Sequence, residues 1–288
     1  MRRDVSFDSN GVRCAAWFYE GGPACVVMAH GFAGVRVARL DAFAERFAAA
    51  GYSVLVFDYR CFGDSDGSPR QLLSVRMQLD DWRAAIAYAR SLDGIEQLIL
   101  WGTSFSGGHV TVIAAEDERL AAAISQGPFF DGLAALRAAG PANIARLTVA
   151  GLRDEARRLR RRPPFMLPVV GPPGTLAAMN SPDAEPGYMA LFPSPDAFRN
   201  EVAARIGLRV GSYRPIRYAA RVRCPLLVCV ADRDVITPPG PAVAAARRAA
   251  LGELRRYDAR HFDIYVGAAF ERVVADQLEF LGRHLVRA

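Results

Sequence analysis

The 288-residue sequence contains no lysine, so all 36 of its basic side chains are arginine. Together with abundant alanine, this points to biased codon usage rather than to selection for a partner. Thirty acidic residues leave a formal net charge of +6. They are spread among the arginines outside one cluster, so a nucleic-acid-binding face has only net charge behind it. Long hydrophobic runs are also missing. No stretch reaches the roughly eighteen apolar residues of a membrane span, and the opening MRRDVSFDSNGVRC turns polar where a signal peptide needs an apolar core. A cytoplasmic location is therefore expected. The five cysteines, Cys14, Cys25, Cys61, Cys224 and Cys229, are odd in number and none lie at C-x2-C spacing. Neither a disulfide framework nor a zinc knuckle is indicated, and most read as small buried hydrophobes.

What is present is an apolar chain, 51% hydrophobic and 23% charged, long enough to bury a substantial core and unlike a disordered segment. RDVSF and VRCAAWFYE flank DSNG, an Asn-Gly hairpin signal. ACVVMAHG, YSVLVFDYR, QLILWGTS and AAAISQG then read as buried strands. Between them lie the helical patterns RLDAFAERFAAAG and SVRMQLDDWRAAIAYARSL, and a helix after the third strand of this set. Such alternation predicts a parallel sheet with crossover helices. From Phe129 to about Arg223 the chain is rich in Pro, Gly, Met and Arg and has no clear strand. Alternation resumes with CPLLVCVADRD, PAVAAARRAAL, ELRRYDA and a last helix from about Ala268 to Leu285. The simplest organisation is one sheet domain, residues 1–128 and 224–288, interrupted by a largely helical insertion, 129–223, over one end of the sheet.

Functional groups of an open parallel sheet gather at the carboxyl ends of its strands. Three such ends carry reactive residues: Ser104 after LILWG, Asp232 and Asp234 after LLVCVA, and His261 after ELRRYDA. Their chain order, Ser, Asp, His, is that of a nucleophile-elbow hydrolase. A hydroxyl is a weak nucleophile at neutral pH, so an imidazole must take its proton and a carboxylate must orient the imidazole. In TSFSGG either Ser104 or Ser106 has small neighbours two positions away on both sides. The apolar run Leu98 to Trp101 ends at Gly102, which puts Ser104 on the strained turn and Ser106 inside the following helix.

These blocks in order, MAHGFAG, FDYRCFGDSDGSP, WGTSFSGG, ADRDVITPP and RHFDIY, resemble the α/β-hydrolase-fold serine hydrolases, in particular the dienelactone-hydrolase-like and Xaa-Pro-dipeptidyl-peptidase-like branch. The resemblance covers nearly the whole chain outside the insertion. Ser106 and Cys61 depart from it, each standing where the family usually has glycine. It implies a mostly parallel twisted sheet of about eight strands flanked by helices, with a helical lid inserted after strand six. It also implies Asp234 as the triad carboxylate, leaving Asp232 to bond nearby amides in its loop. His30 is structural in the family, and His109 and His284 read as a packed and a terminal histidine. The resemblance further implies an oxyanion hole made by the backbone amides of Phe32 and Phe105; no cofactor or metal is expected, since no step of this chemistry uses one. Asp64 and Asp66 could suggest a metal pair, but a metal site needs more converging ligands than two loop carboxylates, and they read as ordinary turn residues.

Aromatics and methionines of the insertion, among them Phe129, Phe130, Met166 and Met189, predict an apolar, adaptable acyl cavity. The expected function is hydrolysis of a carboxylic ester or thioester through an acyl-serine. The alternatives are amide or carbon-carbon cleavage or acyl transfer by the same triad, and a non-catalytic binding protein. In GLRDEARRLRRRPP, Leu152, Ala156 and Leu159 form an apolar helical stripe, with Asp154 and Arg158 at i,i+4 spacing. Arg153, Arg157, Arg160 and Arg161 project from another face, either as a solvated surface or as a docking site for an anionic carrier such as an acyl-carrier protein or coenzyme A.

Overall fold

The computed structural model describes residues 2–285. Strands β1 (Arg2–Ser9) and β2 (Val12–Tyr19) form the expected hairpin. Asn10 and Gly11 turn it with φ of 53° and 78°, the pair of positive φ values that a twist-matched two-residue turn requires. Strands β3 (Gly22–Ala29), β4 (Tyr52–Phe57), β5 (Gln97–Thr103) and β6 (Ala122–Gln126) follow. Between them run α1 (Leu40–Ala49), α2 (Val75–Arg90) and α3 (Phe105–Ala114).

The insertion holds α4 (Gly132–Leu159), α5 (Ala184–Met189) and two short strands, β7 (Met166–Leu167) and β8 (Val202–Ala203). Then come β9 (Leu226–Ala231), α6 (Pro239–Arg248), β10 (Gly252–Tyr257) and α7 (Gly267–His284). The main sheet has eight strands in the order β1-β2-β4-β3-β5-β6-β9-β10. Only the β1/β2 and β2/β4 pairs are antiparallel; the others are parallel. The protein thus has the α/β-hydrolase architecture. No helix among the described residues is long and apolar enough to cross a membrane.

Local sequence accounts for most of these elements. Leu40, Phe43, Ala44 and Phe47 repeat at i, i+3, i+4 and i+7 and are the buried face of α1. All ten residues of α3 are buried, and so it lacks an amphipathic stripe: sheet lies on one side and insertion on the other.

The insertion adds to or departs from the sequence reading in three respects. It is not free of strands, because β7 and β8 pair antiparallel, although each has two residues. Helix α4 breaks at Gly140 (φ 77°, ψ 160°) before Pro141, which lacks the N–H that would continue the ladder.

The last is a departure in the face of the arginine-rich segment. Leu152 and Leu159 are 58% and 71% exposed, and the buried face is Leu147, Ala150, Gly151 and Asp154. Asp154 accepts from the Arg205 guanidinium at 2.7 and 2.9 Å and from the amides of Phe165 and Arg205, both at 2.9 Å. Burial alone would raise its pKa, but these bonds outweigh it and hold the carboxyl below the usual range. Arg158 instead pairs with Glu155 at 2.6 Å. A partner 51 residues away therefore overrode the local apolar pattern.

Candidate active site

Ser104 follows β5 and precedes α3 with φ 55° and ψ −120°, backbone that a side-chain-bearing residue rarely adopts. Its neighbours hold it there. The Ser104 amide donates to the Gln126 carbonyl, and the Phe129 amide donates to the Ser104 carbonyl, both at 2.8 Å. A Cβ on Gly102 would lie 2.4 Å from the Ser106 carbonyl oxygen, and one on Gly31 would lie 2.7 Å from the Ser104 Cβ. Ser106 is fully buried within α3, with its Oγ 2.7 Å from the Tyr59 hydroxyl. Tyr59 in turn accepts from Trp82 Nε1 at 2.8 Å. Of the two serines, only Ser104 faces an imidazole.

His261 Nε2 lies 3.1 Å from Ser104 Oγ, and its Nδ1 lies 2.5 Å from Asp234 Oδ2. The Asp234 carboxylate is itself held: Oδ1 accepts from the amides of Ile236 and Thr237 at 2.8 and 2.7 Å, and Oδ2 from the Thr237 hydroxyl at 2.7 Å. Thr237 is a site residue that the sequence reading missed. The D-x-x-T spacing of DVIT is its signal, since an aspartate commonly accepts from groups two and three residues on. Asp232 stands apart, bound to Arg256 Nε at 2.8 Å rather than to the loop amides expected of it.

The Phe32 and Phe105 amides donate no hydrogen bond to any described residue. Both residues border the same cavity as Ser104, and their rings meet edge to face with centroids 5.6 Å apart. The Phe32 carbonyl accepts from the Tyr188 hydroxyl at 2.8 Å, so α5 of the insertion pins the loop that carries this amide.

The cavity measures about 370 Å³. Both halves of the kinked α4, the 178–182 loop, Val210 and the 235–237 loop wall it in. Of the four side chains expected to line it, Phe129 does. Phe130, Met166 and Met189 do not border it; Phe130 is buried in the core instead, and Met166 lies in β7. Met179, Leu136, Leu147 and Ile236 supply apolar wall in their place.

Arg153, Arg157, Arg160 and Arg161 are also absent from its lining. Arg153 stacks over Phe165 with its guanidinium carbon 4.2 Å from the ring centroid. Arg157 donates to the Pro163 carbonyl, and Arg160 to that of Ala156. Asp64 and Asp66 pair with Arg36 and Arg13 at 2.7 and 2.9 Å. Burial pushes His30 and His109 each down to about 3, so both are neutral packed rings near pH 7. His284 sits on the surface, 2.5 Å from Glu253. Cys61 has φ 72°, the left-handed backbone that explains a preference for glycine at this position.

Residues 23–262 match the serine aminopeptidase, S33 family, and the chain belongs to it. It is an α/β-hydrolase enzyme. Among curated relatives, the quorum-quenching protein AidA of Acinetobacter baumannii is 50% identical, over 97% of this chain and 94% of its own. The thiohydrolase aneE of Aspergillus aculeatus is 27% identical over 94% and 90%. Among solved structures, the α/β hydrolase GrgF of Penicillium sp. superposes with a TM-score of 0.83 over 99% of each chain at 24% identity, a likeness of fold.

Proposed function

We propose that the protein hydrolyses a carboxylic ester or thioester whose acyl part is mainly apolar, through an acyl intermediate on Ser104. The observation that carries this reading is the hydrogen-bonded line Asp234–His261–Ser104 opening on a cavity with no charged side chain in its wall. As Ser104 Oγ attacks the carbonyl carbon, His261 Nε2 takes its proton, and Asp234 stabilises the imidazolium through Nδ1. The free amides of Phe32 and Phe105 donate to the developing oxyanion. Collapse of the tetrahedral species breaks the bond to the alkoxide or thiolate, which leaves with the proton from His261. Water, deprotonated by the same imidazole, then releases the acid and regenerates Ser104.

The thiohydrolase relative supports a thioester as a substrate type, and the quorum-quenching relative supports a diffusible signal molecule as the natural one. Two measurements test the reading: labelling by a fluorophosphonate, and hydrolysis of p-nitrophenyl esters of increasing acyl length. A stoichiometric adduct on Ser104 with turnover of medium-chain esters is expected. A protein that neither labels nor turns over would be a binding protein on a hydrolase fold.

A further inference from the structure

Among the side-chain polar atoms of the residues that line the cavity beside Ser104, one is buried without a hydrogen-bond partner. Asn143, two residues after the Pro141 break in α4, is 4% exposed and lines the cavity. Its Nδ2 has no hydrogen-bond partner.

The orientation of this amide is fixed by its neighbour. Asn180 Nδ2 donates to the Thr175 carbonyl at 2.9 Å and to Asn143 Oδ1 at 3.2 Å. A backbone carbonyl accepts only, so the Asn180 atom facing Asn143 is a donor. The Asn143 atom that meets it must then be the oxygen. The remaining half of the Asn143 side chain is an N–H2 donor group.

The free main-chain amides of Phe32 and Phe105 are assigned to the oxyanion in the reading above, and the side-chain hydroxyls of the wall are otherwise engaged. Thr237 Oγ1 donates to Asp234, and Ser181 Oγ to Asp183. Ser104 is the reacting hydroxyl. No arginine or histidine borders the cavity, so nothing there would compensate a buried anion. What fits an unpaired neutral donor in an apolar wall is an uncharged oxygen acceptor.

Resting on the acyl-serine reading above, we propose that Asn143 determines substrate specificity. Its Nδ2 donates to a ketone or amide carbonyl oxygen carried by the acyl part of the substrate, away from the bond that is cleaved. A plain alkyl chain bound in the same cavity leaves this buried donor unsatisfied, which disfavours it relative to a chain that supplies the oxygen.

The test compares p-nitrophenyl octanoate with its oxo-octanoate isomers, one ketone moved carbon by carbon along the chain. In the native enzyme one position should exceed octanoate in kcat/KM by roughly tenfold. In Asn143→Leu, and in Asn143→Ala should the larger side chain disturb the fold, the ratio of that isomer to octanoate should fall to about one, whatever the absolute rates. Binding is measured separately by titrating Ser104→Ala with the butyl amides of the same acids, where the same isomer should bind roughly tenfold tighter than octanoyl butylamide. Equal kcat/KM across all isomers together with equal affinities in Ser104→Ala would overturn the role of Asn143 and leave ester hydrolysis standing. No turnover of any ester, with the affinity difference intact and lost on Asn143→Leu, would support the recognition and remove the hydrolytic reading.

Discussion

The two regions that meet at Ser104 are built on different rules. In the sheet domain each site residue sits at the end of a regular strand or in the loop just beyond it, and its local sequence places it there. The insertion has long-range ties instead: Asp154 to Arg205, Asn180 to Asn143, Tyr188 to the Phe32 carbonyl. Its regular elements other than α4 have six residues or fewer. In the proposed reading, bond-making chemistry therefore belongs to the part with high local order, and most of the substrate contact to the part held by scattered side-chain contacts. On that reading, exchanging residues in the insertion is expected to reshape the cavity without moving the triad.

Substitutions can break or sharpen this contrast. The largest effect is expected in the sheet domain: Ser104→Ala should lower kcat by about 10⁶ with the fold unchanged. Ser106→Ala should keep most activity and cost roughly 1–2 kcal/mol, because it strips the Tyr59 hydroxyl of a buried partner. Steady-state rates alongside denaturant titrations check both, and the reverse pattern would exchange the serines. Asp234→Asn comes next, with a rate lower by roughly 10⁴ in a folded protein. Asp232→Asn, which loses only a surface bond to Arg256, should stay close to native in the same assay.

In the insertion, Asp154→Ala leaves Arg205 without its carboxylate and should cost about 3–5 kcal/mol. If insertion and sheet unfold as separate units, limited proteolysis should cut between residues 129 and 223 while the sheet domain keeps its melting transition. If they unfold together, the whole transition shifts.

The two buried neutral histidines give a pH test of the sheet side. Their folded pKa, about 3, lies below the ordinary value near 6.5, so the unfolded chain binds more protons between these limits. Stability is then full above about pH 6.5 and falls as pH drops toward 3, by roughly 1.4 kcal/mol per pH unit for each ring. Denaturant titrations at pH 7 and pH 5 should show the loss, and a flat profile would mean that these rings bind protons in the folded state. The smallest effect is expected from Arg157→Ala with Arg161→Ala, on the exposed end of α4. Stability should change by less than about 0.5 kcal/mol. A salt-sensitive drop in kcat/KM confined to anionic thioesters would support docking of an anionic carrier, and equal behaviour of neutral esters would leave a solvated face.

By itself the sequence determined the alternation of strands and helices, the Asn-Gly hairpin and the place of Ser104, because period, turn chemistry and the end of an apolar run are properties of neighbouring residues. It also placed Ser104, Asp234 and His261 in an order that the strand ends of a parallel sheet bring together. Only the tertiary structure decided which face of the arginine-rich helix is buried and that Met179 rather than Met166 or Met189 walls the cavity. These outcomes depend on partners tens of residues away, as when Arg205 makes a buried Asp154 more favourable than a buried Leu152. Asn143 shows the limit most clearly. Nothing in GPANIARL distinguishes its amide from a surface asparagine until the fold closes a cavity around it and Asn180 takes up its oxygen.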